Sequence, residues 1–304
     1  MVDLTTEFAD LRLKNPVMTA SGTFGYGEEF SQILDLNCLG GLVVKGLSIE
    51  PMTGARSPRL HESPLGMLNA IGLQNIGVHE FVSRKLPNLT RYQTKIFANV
   101  FGYTTDDYVR VVEVLNESEG LAGYEINISC PNVKAGGMLY GADPRATYAV
   151  VKAIKHHSRR PIIVKLSPNV TDITVLAKAA QDGGADALSL INTLVGMSID
   201  VETFRPRLGN IIGGLSGPAI RPLALRMVYQ VVQTVSLPVI AIGGIQNAED
   251  ALEYLLVGAK AVQIGTANFV DPKVPLKVIQ GLDDFCRRKG FSKISSVIGQ
   301  FQSK

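Results

Sequence analysis

The stretch that decides the fold is Val239-Ile240-Ala241-Ile242-Gly243-Gly244, followed after a helical pattern by Ala261-Val262-Gln263-Ile264-Gly265-Thr266. Each segment is short and rich in β-branched residues; the first is continuously apolar and the second is apolar except for Gln263, which is typical of strands buried on both faces of a parallel sheet. Each also ends in glycine, which lets the backbone approach a ligand closely. The two segments therefore predict neighbouring parallel strands with ligand-binding turns at their carboxyl ends.

The same apolar pattern recurs towards the N-terminus, in the segments Pro16–Ala20, Leu42–Lys45, Ile96–Val100, Tyr124–Ser129, Ile162–Leu166 and Ala187–Ile191. Helical patterns separate the strands, most clearly at Thr105–Asn116, Pro144–His157, Ile173–Asp182, Pro218–Thr234, Ala248–Leu256 and Pro272–Lys289. Eight strand–helix units over about 250 residues predict an α/β fold of the (β/α)8 TIM-barrel type. A doubly wound sheet is the alternative, because a sequence alone does not show that a sheet closes.

Two connections are longer than a simple turn from strand to helix requires, Gly46–Asn75 and Gly196–Gly217. Long ordered loops on the C-terminal face of a barrel usually build the binding site, and we expect inserted strands within them. The segment Leu4–Asn15 predicts an N-terminal hairpin at the bottom of the barrel. No change of composition marks a linker, so residues 1–304 are expected to form one domain.

Composition excludes several classes of protein. A net charge of +3 with no basic run longer than three residues, at Arg287-Arg288-Lys289, gives no reason to expect nucleic acid as a partner. Three widely spaced cysteines fit neither a metal nor an iron–sulfur motif nor a disulfide scaffold, and the histidines lie outside the strand ends, so no metal site is expected. Without an apolar signal region or a run of eighteen apolar residues, we expect a cytoplasmic protein that does not bind membranes.

Polar groups stand where the predicted strands end, which is where a barrel carries its catalytic groups. Lys45 and Lys165 end two of the apolar strands. Burying an ammonium without an anionic partner is costly; each lysine could instead reach solvent, but two at equivalent ends favour an anionic or electron-rich ligand. Gly243-Gly244 and Gly265-Thr266 follow strands seven and eight, the usual phosphate site of this fold, although helix-entry turns would also place glycine there.

The motif Asn127-Ile128-Ser129-Cys130-Pro131-Asn132 combines two carboxamides, a hydroxyl and a thiol at the end of strand four. A buried, inert cysteine at a strand-to-loop transition is the commoner reading of such a thiol. Together with the lysines and the glycine turns, however, the motif suits flavin mononucleotide (FMN). The residues therefore predict a flavin-dependent oxidoreductase with a pocket in which carboxamide side chains hydrogen-bond a small planar substrate.

At these residues the chain closely resembles the class 1 dihydroorotate dehydrogenases, over essentially its full length. Two stretches are highly specific to that family, the motif Asn127–Asn132 and the segment Asn69-Ala70-Ile71-Gly72-Leu73. The second of them, with Gln74-Asn75 following, is more similar to the sequence of the class 1B catalytic subunit than to that of the fumarate-using class 1A enzyme. The loop Gly54–Arg59 departs from the pattern of class 1B members, which leaves its conformation open.

The resemblance implies a role for each matching residue. FMN would be bound by Ser21, Lys45, Gly46, Asn99, Asn127, Lys165, Ile191, Gly217, Gly243, Gly244, Gly265 and Thr266. Dihydroorotate or orotate would be bound by Lys45, Asn69, Ala70, Ile71, Gly72, Leu73, Asn127, Asn132, Asn192 and Thr193. Cys130 would be the catalytic base that takes the C5 proton while the C6 hydride goes to FMN, and Pro131–Gly141 would close as a lid.

The resemblance also implies a place in de novo pyrimidine (UMP) biosynthesis and an electron-transfer partner. That partner would carry FAD and a [2Fe–2S] cluster and reduce NAD, with a homodimer of this chain binding two partner copies at an apolar patch near the outer edge of the flavin. Direct use of fumarate is the alternative. Two other readings are an FMN barrel reductase for a related pyrimidine or uridine, and a non-catalytic phosphate-binding barrel.

Overall fold

The computed structural model describes residues 2–129 and 140–302. Eight parallel strands close into a barrel, in the chain order Val17–Thr19, Gly41–Val43, Lys95–Val100, Leu121–Asn127, Ile162–Lys165, Ala187–Leu190, Val239–Ile242 and Ala261–Ile264. Closure is made by the eighth strand, in which Val262 pairs with Val17 of the first. The predicted (β/α)8 barrel is therefore confirmed and the doubly wound sheet is wrong, and the strand bounds differ from the predicted ones by at most three residues.

The outer helices in the described ranges are Thr105–Asn116, Pro144–His157, Ile173–Asp182, Arg221–Val232, Ala248–Leu256 and Val274–Lys289, with a short helix at Ala267–Val270. The bounds agree best with prediction where a polar side chain caps the first turn. Thr104 accepts a hydrogen bond from the Asp107 amide, and Asp107 accepts one from the Thr104 amide, which is a capping box. The predicted helix Pro218–Thr234 instead begins with a 3-10 turn at Pro218–Ile220.

The first two strand–helix units differ from the regular pattern. After the first strand the chain forms only 3-10 turns, at Glu28–Phe30 and Leu36–Cys38. After the second strand it forms an irregular helix that passes from α (Val78–Glu80) through π (Phe81–Lys85) back to α (Leu86–Leu89). The second helix was missed in the sequence because Pro87 interrupts the apolar periodicity, and proline usually ends a helical pattern.

The predicted N-terminal hairpin is present and covers the bottom of the barrel. Strands Thr6–Phe8 and Leu11–Leu13 pair in antiparallel fashion. Phe8 and Leu13 are buried against the inward-facing side chains of the barrel, which form an apolar layer of Met18, Val43, Phe97, Ile163, Ala187, Ile240 and Ala261. The hairpin therefore excludes water from the amino end and leaves the carboxyl end as the open mouth.

Both long connections contribute inserted strands at that mouth, as predicted. Strands Leu60–Ser63 and Gly66–Asn69 from the first connection join Leu194–Gly196 and Gly213–Ser216 from the second in a four-stranded antiparallel sheet. The two connections meet where Gly214 pairs with Asn69. A two-stranded ribbon, Ile199–Asp200 with Arg205–Pro206, extends from the second connection. We call the four-stranded element the inserted sheet.

Candidate active site

A cavity of about 570 Å³ lies between the barrel mouth and the inserted sheet. Every predicted site residue within the described ranges lines it, namely Ser21, Lys45, Gly46, Asn69, Ala70, Ile71, Gly72, Leu73, Asn99, Asn127, Lys165, Ile191, Asn192, Thr193, Gly217, Gly243, Gly244, Gly265 and Thr266. Cys130, Asn132 and nearly all of the predicted lid lie outside the described residues. The fold thus brings the described candidates to one cavity, while their individual roles stay predictions.

One end of the cavity is built from glycine turns after strands seven and eight. Gly244 has a φ of +69°, and a Cβ added there would lie 2.7 Å from the Arg221 Cβ and 3.0 Å from the Gly217 carbonyl oxygen. The buried Tyr254 hydroxyl donates a hydrogen bond of 2.7 Å to the Gly243 carbonyl oxygen, and its burial raises the pKa of Tyr254 well above the ordinary value. Only glycine fits this turn, and the hydrogen bond from Tyr254 holds its backbone in place.

The side chains at the bottom of the cavity form a polar layer that surrounds a fully buried carboxylate. Lys165 is buried, with its Nζ 3.1 Å from Ser21 Oγ and 3.4 Å from Glu125 Oε1. Asn99 Nδ2 donates to the same oxygen at 2.7 Å. Burial alone would raise the pKa of Glu125, but Lys165 and the surrounding donors lower it below the ordinary value. An ionised carboxylate therefore lies directly behind the predicted flavin residues.

Sequence reasoning missed this carboxylate and its partners Ser189 and Gln263. The signal was present, because Glu125 is a charged residue inside the apolar strand segment Tyr124-Glu125-Ile126 and points to the barrel interior. Such a residue is almost never fully buried without a specific partner. Asn169 was also missed; it lines the cavity and bonds to the Thr193 carbonyl oxygen at 2.9 Å.

Lys45 is the second ammonium of the cavity and is half-buried. Removal from water lowers the pKa of Lys45 and the nearby positive charge of Arg59 lowers it further, while the Glu29 carboxylate opposes this shift in part. Within the described ranges no carboxylate forms an ion pair with this ammonium. Lys45 is therefore a positive charge that remains available to an anionic ligand.

Carboxamide side chains line the remaining wall of the cavity. Asn127 Oδ1 accepts a hydrogen bond from the Ser129 amide at 3.2 Å and lies 3.4 Å from Asn192 Nδ2. Asn69 Nδ2 donates to the Gly214 carbonyl oxygen at 3.2 Å across the inserted sheet. Because a carboxamide both donates and accepts, this wall suits a ring that carries alternating C=O and N–H groups.

The loop Gly54–Arg59, whose conformation the sequence left open, packs on the substrate-side stretch. The Ala55 amide donates to the Ile71 carbonyl oxygen at 3.0 Å. Arg59 donates from Nε to the Ala55 carbonyl oxygen and from Nη1 to Gln74 Oε1, each at 2.7 Å. The loop is thus fixed against the segment that follows Asn69.

In the part of the chain that the structure describes, no helix is long and apolar enough to cross a membrane. The same residues contain no group of three or more His, Cys, Asp or Glu side chains placed to hold a metal ion.

Fold and cavity together define a (β/α)8 barrel with a ligand site at its carboxyl-terminal mouth. The family model for dihydroorotate dehydrogenase matches residues 3–286. The chain belongs to the dihydroorotate dehydrogenase family.

Relatives of both class 1 types are similar to the chain over nearly its whole length. It is 55% identical over 296 residues to "Putative dihydroorotate dehydrogenase A (fumarate)" of Solibacter usitatus, with 97% of each chain covered. It is 52% identical over 300 residues to "Dihydroorotate dehydrogenase B (NAD(+)), catalytic subunit" of Citrifermentans bemidjiense, with 99% of this chain and 98% of the relative covered. A protein of the same name from Maridesulfovibrio salexigens is 53% identical over 302 residues, with 99% of each covered.

Proposed function

We propose that this chain oxidises (S)-dihydroorotate to orotate with bound FMN, as a cytoplasmic enzyme of de novo pyrimidine (UMP) biosynthesis. The observation that carries the proposal is one cavity that combines glycine turns, two lysines and a carboxamide wall, in a chain of the dihydroorotate dehydrogenase family. The alternative pyrimidine and uridine reductases need no anion site for a substrate carboxylate, whereas the Lys45 ammonium lines this cavity and forms no ion pair with a carboxylate in the described ranges.

The residues present fit FMN. The turns at Gly243-Gly244 and Gly265-Thr266 would hold its phosphate with backbone amides, and a Cβ at Gly244 would disrupt that turn. Lys165 would stabilise the negative charge that develops on the ring system during reduction. Among the described residues, the ionisable side chains that line the cavity are Lys45 and Lys165, and their positive charge suits a dianionic cofactor. When bound, FMN supplies the hydride acceptor for C6 of the substrate.

Other residues of this chain would bind the substrate and move its proton. Lys45 would pair with the substrate carboxylate, and the carboxamides of Asn69, Asn127 and Asn192 would hydrogen-bond the C=O and N–H groups of the ring. Cys130 would remove the proton from C5, so that a C5–C6 double bond forms as the hydride leaves C6. A thiol with a reference pKa of ~8.5 is partly thiolate near neutral pH and can act as this base.

The nature of the cofactor is tested by releasing it from purified protein with acid or heat and identifying it by chromatography. We expect non-covalently bound FMN. A folded protein that holds no flavin, and that takes none up when FMN is added, would contradict the proposal.

We further propose that the electrons pass to NAD through a partner subunit that carries FAD and a [2Fe–2S] cluster, two copies of each chain forming a heterotetramer. Support comes from the relatives named as catalytic subunits of NAD(+) enzymes, since a catalytic subunit implies another subunit. Fumarate as direct acceptor is the second candidate, because the relative from Solibacter usitatus is named as a fumarate enzyme.

An exposed apolar strip on the second long connection is a candidate docking face. Val195, Met197, Ile199 and Val201 alternate along the chain, and each is 48% to 69% exposed. Phe204 at the tip of the ribbon is 88% exposed. Exposed apolar side chains grouped in one segment are a feature of interaction sites, and Val195 also lines the cavity, so a protein bound here would reach the cavity rim.

Assays of the isolated chain with dihydroorotate and three acceptors separate the two candidates. We expect turnover with an artificial dye and negligible rates with NAD⁺ until the partner subunit is added. Fast reduction of fumarate by the isolated chain would favour the second candidate, and fast reduction of NAD⁺ by it would overturn the partner model.

A further inference from the structure

Behind the cavity lies a polar layer that the chemistry above does not use in full. It is formed by one inward-facing residue from each of five barrel strands, Asn99, Glu125, Lys165, Ser189 and Gln263. In four of these strands, the residue two positions earlier belongs to the apolar layer that packs against the N-terminal hairpin. Asn99 and Lys165 also line the cavity, whereas Glu125 is fully buried.

Glu125 is the centre of this layer. Its Oε1 accepts from Asn99 Nδ2 at 2.7 Å and lies 3.4 Å from Lys165 Nζ. Its Oε2 accepts from Gln263 Nε2 at 2.7 Å and from Ser189 Oγ at 3.0 Å. Four donors from four different strands therefore meet on one carboxylate, which fixes the carboxylate relative to the barrel.

The layer determines the charge beneath the cavity. In the described residues the ionisable groups that line the cavity are Lys45 and Lys165, and the carboxylate that compensates Lys165 is Glu125 on the protein side. Lys45 forms no ion pair among the described residues, although the charge of the more distant Glu29 also acts on it. The cavity thus presents one ammonium held in a buried ion pair and one that forms no ion pair in the described residues.

Stability alone does not account for a buried ion pair. Replacing such a pair by apolar side chains of similar volume is often neutral or stabilising, and the layer just below is entirely apolar. The two groups that Glu125 binds at Oε1, Asn99 and Lys165, are those of the layer that reach the cavity. The pair therefore points to a task at the cavity.

We propose that Glu125 is a positioning residue that fixes Lys165 and Asn99 and, by compensating the Lys165 charge, sets how strongly the site favours reduced over oxidised flavin. The inference rests on the proposed function, because it requires a flavin above this layer. Reduced flavin carries negative charge that the oxidised form lacks, so an uncompensated ammonium stabilises the reduced form selectively. Glu125 limits that preference and keeps the reduced flavin able to release its electrons.

The test measures the ratio of reduced to oxidised flavin in FMN-loaded protein, equilibrated at pH 6.5 with a reference dye of known potential. Glu125→Gln keeps the size of the side chain and removes its charge. We expect the ratio to rise at least tenfold, which is about 30 mV for a two-electron couple. In a Lys165→Met background the same change should alter the ratio less than threefold, because a buried Glu125 that has lost its ammonium partner is expected to be protonated, so that the change to glutamine removes no charge.

Ser189→Ala is the matched control, since it removes one hydrogen bond from Glu125 but leaves the carboxylate charged; its ratio should equal that of wild type. If Glu125→Gln does not fold, Glu125→Asp replaces it. That variant keeps the charge but withdraws the carboxylate by ~1.5 Å, and we expect a rise of about threefold.

The outcomes distinguish the two claims. Protein that takes up no flavin overturns the proposed function itself. Flavin-loaded variants whose ratio is unchanged or lower, or an equal rise in the Lys165→Met background, overturn the role of Glu125 and leave the proposed function intact.

Discussion

Gly244→Ala tests whether the turn after strand seven holds the cofactor phosphate. At a φ of +69° an alanine is disfavoured by ~1–2 kcal/mol. The new Cβ would also lie 2.7 Å from the Arg221 Cβ and 3.0 Å from the Gly217 carbonyl oxygen, and such overpacking adds ~1–3 kcal/mol. We therefore expect the free energy of unfolding to fall by ~2–5 kcal/mol. We also expect the backbone of the turn to move away from the position in which its amides would bind the phosphate.

The same shift should weaken phosphate binding. A hydrogen bond to a charged group contributes ~1.5–3 kcal/mol, so loss of one amide contact should weaken FMN binding by ~10- to 100-fold. Riboflavin, which has no phosphate, should lose less than ~3-fold in affinity. The assay is fluorescence titration of the flavin-free protein with each ligand, with urea denaturation to measure stability.

Gly290→Ala is the matched control for backbone strain. Gly290 has a φ of +76°, but a Cβ there meets nothing within 4 Å, so only the ~1–2 kcal/mol conformational penalty is expected. Its FMN affinity should equal that of wild type. Equal losses of FMN and riboflavin affinity in Gly244→Ala would refute the assignment of this turn to the phosphate.

Three further predictions concern proton transfer, substrate charge and the barrel bottom. Cys130→Ala should slow flavin reduction by dihydroorotate ~10²–10⁴-fold in stopped-flow assays while flavin content stays unchanged; a near wild-type rate would place the base elsewhere. Lys45→Met should weaken orotate binding ~10–100-fold, with the exposed Lys178→Met as control. Because the pKa of Lys45 is lowered, orotate affinity should fall as pH rises through the alkaline range, and a fall that persists in Lys45→Met would contradict this assignment. Arg160→Met removes guanidinium hydrogen bonds to backbone carbonyls and to a buried tyrosine hydroxyl. It should lower the free energy of unfolding, measured by urea denaturation, by ~2–4 kcal/mol. The exposed Arg159→Met should lower it by ~0.5 kcal/mol or less, and equal losses in the two variants would refute the role of that network.

The sequence predicted the barrel well because its signals are local. Continuous apolar runs marked the strands, and capping residues such as Thr104 and Asp143 fixed helix starts to the residue. The irregular helix around Pro87 was missed because the proline interrupts its apolar periodicity and the π turn Phe81–Lys85 changes it further. Tertiary packing of Phe81 and Leu86 in the core stabilises it there, and that packing is not visible in a local pattern.

The site was predictable where residues stand at strand ends, since the barrel brings those ends together. The layer behind them was not, because it depends on register between strands. Glu125 is opposite Asn99 on one side and Ile163 on the other, and its bond to Gln263 spans 138 residues of sequence. A single charged residue in an apolar strand signals that a partner exists, but only the closed barrel shows which residue it is.

The most direct test of the central claim is anaerobic addition of dihydroorotate to the purified, flavin-loaded chain while the flavin absorbance is followed. The proposed function predicts that the flavin is bleached and that one orotate forms for each flavin reduced, without any partner subunit. Flavin that stays oxidised in folded, FMN-loaded protein at saturating dihydroorotate would contradict it.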